Sequence, residues 1–414
     1  MISRVTNSMM TNTFINDIQR NLASTYELQQ QISTGKKVLN PSDDPIGASR
    51  TLDYRQIIDQ SEQYSNNVDD ADSIASNIDG VLSSIEDIMM RLRDLAVDAS
   101  NEAPENQQNR DAIADEIDSL INELVFQSNQ KFNGKSLFSG YKSSTTPFVA
   151  KNYVDFVYGT TAAPAANLTI DMPTTANGSK SEAILDLDSV KGVYVVDDQG
   201  NRTAVDVVSV DPDPVDGKLT RLTVDTLTPG LNINSTDRII IEFDRVVSVE
   251  YQGDTGTREI EISNSSRVGV SYAGASASSS GQTSVFGTYN PEGTGSASVE
   301  AFQELMDLRD RIYKYESDSG TTIEDIMQGI DDIDDIRENI TTIRSEQGGR
   351  VNRLELAKNR LENIIINTEE LRSSYEDVDM AEAITEYTLL QNVYQASLAV
   401  GGSIIQTTLL DYLS

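Results

Sequence analysis

From residue 323 onward the chain carries Ile326, Ile333, Ile340, Leu354 and Leu361 on one seven-residue row, broken once by Gln347. Ile323, Ile330, Ile343 and Val351 run beside it. A repeat of seven keeps one stripe of an α-helix facing one partner over many turns, which is the pattern of a coiled coil. At 1.5 Å per residue, some 40 such residues extend roughly 60 Å, more than a compact domain needs. The row therefore predicts a long helical shaft.

Other segments follow the same period. Residues 46–100 and 105–130 read as two further helices separated by SNEAPEN around Pro104. Residues 1–35 place Ile15, Ile18, Leu22 and Ile32 at helical spacing. Residues 380–414 contain no Lys or Arg and present Ile384, Tyr387, Leu390, Tyr394, Leu398, Ile405, Leu409 and Leu413. Each of these two end segments is one helix, and a single helix cannot bury its own apolar stripe. The twelve residues are expected to form an assembly interface.

The middle of the chain is built differently. Seven of the ten prolines lie from Pro147 to Pro291. RIIIEFDRVVSVEY (238–251), the turn QGDTG (252–256) and TREIEIS (257–263) predict a strand, a hairpin loop and a second strand, and VKGVYVVDD and RLTVDTL add β-branched runs. SYAGASASSSGQTS reads as a flexible linker. The expected fold is α+β: an elongated helical bundle or coiled-coil shaft formed by the N- and C-terminal segments, with an inserted, mostly antiparallel β domain. Its expected divisions are 1–45, an N-terminal helix; 46–140, the N-terminal part of the shaft; 141–290, a β domain; 291–374, the C-terminal part of the shaft; and 375–414, a C-terminal helix.

Composition narrows the chemistry. A net charge of −34 repels nucleic acid and anionic membrane surfaces. With no Cys and no His, the chain has no thiol nucleophile, imidazole base or Cys/His zinc site. The start, MISRVTNSMMTNTF, lacks the apolar run of a cleaved signal peptide, so any export is expected to use another route. GKS at 134–136 fails as a phosphate loop because Asn129 stands where glycine is required. DPDPVDG at 211–217 fails as a Ca²⁺ loop, with Val215 and Leu222 at ligand positions. The carboxylates of IDDIDDIREN (330–339) lie beside an isoleucine stripe and read as its solvated face rather than a glycosidase pair. No enzyme, cofactor or metal is expected.

Between the first two helical patterns stands NPSDDPIGASR (40–50). Its prolines break the helix, and a carboxylate beside Pro45 is placed to cap the next one.

STGKKVLNPSDDPIGASR (33–50), RLRDLAVDASN (91–101), KFNGKSLFSG (131–140), EQGGRVNRLE (346–355), YEDVDMAEAITEYTLLQNVYQASL (375–398) and the ending LLDYLS resemble, in order and position, motifs of the flagellin family of bacterial axial proteins. PSDDP is similar to the form found in the branch at the hook-filament junction, where filament flagellins more often carry alanines. The resemblance implies paired terminal helices as an inner region and an outer domain facing water. It makes Asn40, Pro41, Ser42, Asp43, Asp44 and Pro45 the interdomain joint. It further implies a structural subunit of the flagellum, type III export without a cleaved leader, and an extracellular location. The implied partners are the hook-associated protein of the adjacent layer, flagellin, further copies of the chain in a ring, and a cytosolic export chaperone. That chaperone is expected on Tyr387, Leu390, Tyr394 and Leu398. Two alternatives stand beside this reading: a filament flagellin, and a secreted adhesive or carbohydrate-active protein acting through residues 141–290.

Overall fold

The computed structural model describes residues 7–42, 44–102, 107–157, 167–171, 190–197, 199–212, 219–225, 237–277, 284–289, 298–313 and 323–412. Its helices are α1 (Asn7–Thr34), α2 (Pro45–Glu102), α3 (Gln107–Ser128), α4 (Glu300–Tyr313), α5 (Ile323–Glu376) and α6 (Met380–Tyr412). The strands run β1 (Lys131–Phe132), β2 (Lys135–Ser136), β3 (Phe148–Lys151), β4 (Tyr153–Val157), β5 (Asn167–Asp171), β6 (Val190–Val196), β7 (Arg202–Val205) and β8 (Val207–Pro212). They continue as β9 (Leu219–Asp225), β10 (Arg238–Phe243), β11 (Ser248–Tyr251), β12 (Glu259–Ser263), β13 (Ser266–Gly269), β14 (Ser276–Ala277) and β15 (Thr288–Tyr289). The chain divides into two compact units, residues 1–66 with 357–414, and residues 67–356.

In the larger unit the heptad row behaves as its period requires. Ile326, Ile333, Ile340 and Leu354 are buried on α5, and so are Val68, Ile78, Leu82, Ile85, Met89 and Leu92 on α2. Ion pairs flank that seam: Arg344 Nε bonds Asp79 at 3.2 Å and its Nη1 reaches Glu86, while Arg93 Nε bonds Asp334 at 2.9 Å. Gln347, the one break in the row, is only 2% exposed and donates to the Ala75 carbonyl at 3.0 Å. A buried amide is tolerated there because it finds an acceptor.

Several β segments belong to the same core. Phe148, Val249, Tyr251, Tyr272, Val285 and Phe286 are buried in one cluster with α2, α3, α4 and α5. The Phe286 ring stands edge-on to Phe148 at 5.1 Å and tilts against Phe302 at 5.1 Å. Asn129, the residue that spoils the phosphate-loop match, docks β3 by a reciprocal pair: its amide donates to the Phe148 carbonyl at 2.8 Å and accepts the Phe148 N–H at 2.9 Å. The adjacent β1–β2 hairpin turns through Asn133 and Gly134, both at positive φ, as a two-residue Asn-Gly hairpin requires.

A four-stranded antiparallel sheet, in the order β4-β10-β6-β7, buries Val193, Val195, Val205, Ile239 and Ile241. None of these belongs to the helical core cluster. The chain enters this sheet after Asn152 and leaves at Phe243, where the Phe243 N–H donates to the Asn152 carbonyl at 2.7 Å. β5, β9 and β8 form a separate antiparallel sheet. Just past the exit, the buried Arg309 of α4 bonds Asp310 at 2.9 Å, the Val246 carbonyl at 2.9 Å and Asp118 of α3.

Two expectations are corrected. Residues 238–251 are two strands rather than one, and no hairpin joins them to 257–263: β10 pairs with β4 and β6, β11 with β3, and β12 with β13. The Ser/Ala/Gly-rich segment is not a free linker where it is described, since Ser271, Tyr272, Ala273, Ala275, Ser276 and Ser284 are buried. Its small residues admit close packing; a Cβ at Gly274 would overlap the Phe148 ring.

Candidate functional site

The smaller unit holds the two chain ends. α1 packs against α6. On α1 the half-buried positions are Thr11, Phe14, Ile18, Asn21, Thr25, Leu28 and Ile32, and on α6 the shielded ones are Ala383, Tyr387, Leu390, Tyr394, Ser397 and Gly401. Both sets step by three and four, so the pair meets along heptad stripes. Gly401 matters because the Phe14 ring occupies the space a Cβ would take.

The twelve expected interface residues divide between this seam and the outside. Ile18, Ile32, Tyr387, Leu390 and Tyr394 lie in the seam. Ile15, Leu22, Ile384 and Leu398 point away from it, with Leu22 52% and Leu398 50% exposed. Met9, Tyr26, Leu389, Val393 and Val400 are exposed as well. Each helix therefore carries apolar side chains outside the seam that the pairing leaves open. The side chains of Ile405 and Leu409, and all of Leu413, fall outside the described residues.

The 35–44 connection is held by residues far away in sequence. Lys37 N–H donates to the Glu376 carbonyl at 2.7 Å and Val378 N–H to the Gly35 carbonyl at 3.0 Å, closing a backbone clasp between the end of α1 and the start of α6. Glu376, 6% exposed at its side chain, receives Lys36 and Arg55. Burial by itself lifts its carboxyl, but the hydrogen bonds from Lys36 and Arg55 outweigh that and hold it below the usual glutamate range. Arg50 bonds the Tyr375 hydroxyl, and Tyr54 lies 6.0 Å from the Tyr375 ring. A cavity of about 470 Å³ opens here, lined by Val38, Leu39, Pro41, Leu52, Arg55 and Glu376 among others.

Among the expected joint residues, Asn40, Pro41 and Ser42 form the turn, and Pro45 opens α2. Asp44 caps that helix, its Oδ1 accepting from Ile46 N–H at 3.1 Å and Gly47 N–H at 3.0 Å. Asp43 lies outside the described residues. Asp379 caps α6 in the same manner, accepting from Ala381 at 2.9 Å and Glu382 at 3.2 Å. Its Asp-x-x-Glu spacing was a readable capping signal. The clasp on Glu376 was not readable in this way, because Lys36 and Arg55 stand more than three hundred residues earlier.

The family model of the bacterial flagellin N-terminal helical region matches residues 5–143, and that of the flagellin C-terminal helical region matches 330–413. Together they cover more than half of the chain. The chain belongs to the flagellin family. Flagellar hook-associated protein 3 of Escherichia coli is 33% identical over 146 residues, 35% of this chain and 46% of that protein. The match thus spans about half the length of that relative. A flagellin of Clostridium tyrobutyricum is 23% identical over 95% of this chain and 98% of its own length. A solved hook-associated protein-3 from Legionella pneumophila aligns with 78% of this chain and 97% of its own, at 15% identity and a TM-score of 0.39. Its relatives are flagellins and flagellar hook-associated proteins.

Proposed function

We propose that this chain is a junction subunit of the hook-associated protein 3 kind, joining the hook-associated layer to the flagellin filament and assembling through its terminal helices. The observation that carries the assembly reading is the set of large apolar side chains that the α1–α6 pair leaves exposed. Leu22, Ile384, Leu389 and Leu398 are half or more exposed in a single chain. Exposed apolar side chains in this number, on helices whose seam is already filled, point to a further protein surface. The PSDDP form of the joint favours the junction over the filament.

In this reading residues 1–45 and 375–414 are the inner pair, Asn40–Pro45 is the joint, 46–140 and 291–374 form the shaft, and 141–290 contains the outer domain. The subunit leaves the cell by type III export. Before export a chaperone takes the place of α1 on Tyr387, Leu390 and Tyr394 and covers Leu398 beside them.

Deleting the gene tests the proposal. A junction subunit predicts cells that still build hooks but release flagellin into the medium as monomer. A second reading, a filament flagellin, is favoured by the near full-length match to the Clostridium tyrobutyricum protein. It predicts that the purified subunit polymerises alone into long filaments.

A further inference from the structure

Two neighbouring glycines interrupt the middle of α5. Gly348 and Gly349 are exposed, and a Cβ at either would meet nothing within 4 Å. Neither has positive φ. Close packing and backbone conformation thus both leave room for alanine, a far better helix former. The seam beneath is also thin: between Ile343 and Leu354 the buried α5 residue is Gln347, and α2 opposes it with Ala71 and Ala75. Small side chains and an amide bury less apolar surface per turn than the isoleucines and leucines on either side.

The same level carries an external brace. Arg350 Nη1 donates to the Gly269 carbonyl at 3.0 Å, and its guanidinium lies 4.2 Å from the Tyr272 ring centre. Asn67 of α2 donates to the Glu261 carbonyl at 2.8 Å. Strands β12 and β13 thereby hold α5 at Arg350, one turn from the thin point of the seam, and reach α2 at Asn67, about two turns further along.

We propose that residues 347–350 are a built-in bending point of α5, with Gly348 and Gly349 as the yielding element and the Arg350–Tyr272–Gly269 contact as the splint that restrains it. Breaking one cation–π contact and one hydrogen bond frees the turn, and glycine pairs are a recognised place for helices to kink. The device allows the last turns of α5, which run on to Glu376, to change direction without unfolding the helix.

Amide hydrogen exchange on the full-length subunit tests this. Residues 345–352 are expected to exchange faster than residues 330–342 of the same helix. The double change Gly348→Ala/Gly349→Ala is expected to slow them roughly 30-fold, equivalent to about 2 kcal/mol. Arg350→Ala is expected to speed them while the far-UV helical signal stays constant. Wild-type rates equal to those of the flanking turns, or an unchanged rate in either variant, would overturn the proposal.

Discussion

Cutting the β region at two different places tests where the helical core ends. Replacing 141–290 by a short Gly/Ser linker would remove Phe148, Val249, Tyr251, Tyr272, Val285 and Phe286, all buried in the cluster shared with the helices. Loss of one such aromatic from a core costs about 3–5 kcal/mol. The six together exceed the roughly 5–15 kcal/mol by which domains are stable. Excising only 153–243 removes none of that cluster. It breaks the bond from Phe243 N–H to the Asn152 carbonyl, worth about 1 kcal/mol, and leaves ends close enough for two glycines to join. The network of Arg309 with Asp118, Asp310 and Val246 stays whole. Far-UV circular dichroism with urea titration should show a cooperative helical transition near the wild-type midpoint for the 153–243 excision, and none for the larger one. Two equally stable proteins, or a collapsed smaller excision, would refute the assignment of these strands to the core.

Gly401→Ala is expected to weaken the α1–α6 pair by about 1–3 kcal/mol, because its Cβ overlaps the Phe14 ring. Faster proteolysis within α1 would report it, and adding Phe14→Ala should restore part of the resistance. Glu376 has a carboxyl held low in the fold, so its contribution is complete above its ordinary value of 4.5 and is lost as pH falls through the lower folded value. Melting temperatures should fall steeply below that range, and Glu376→Gln should flatten the fall. Glu304 behaves oppositely: burial, then the nearby Asp332, Glu300, Asp335 and Asp307, push its carboxyl up to about 7 from 4.5. Stability present at low pH is therefore lost as pH rises from 4.5 towards 7. Glu304→Gln should gain about 1 kcal/mol at pH 8, after allowing for solvent screening, and nothing at pH 4.

The helical parts of this architecture were legible because their signal is local and repetitive. Ile326, Ile333 and Ile340 announce a buried stripe at fixed spacing, and Gln347 announces its interruption. Strand pairing was not, because β10 finds partners in β4 and β6, tens of residues away, while β11, next in the chain, pairs with β3 and β12 with β13. Composition misled at 271–277, where small residues that suit a linker equally suit close contact with Phe148. At the terminal site, periodicity located apolar positions on α1 and α6. It did not separate the seam set, such as Ile18 and Leu390, from the outward set, such as Leu22 and Leu398. That division depends on the angle at which two helices meet, and the clasp around Glu376 depends on chain ends brought together only by folding.

The outward face is the centre of the account, and one measurement addresses it directly. Leu398→Asp, alone and with Leu22→Asp, places charge on that face while sparing the seam around Phe14 and Tyr394. Burying an unpaired carboxylate in an assembled layer costs several kcal/mol per subunit. Cells carrying either form should secrete the subunit intact, with the proteolysis pattern of the free wild-type chain, yet shed flagellin as monomer and show no filaments by electron microscopy. Filaments of normal length and number would contradict the claim that this face is the assembly contact.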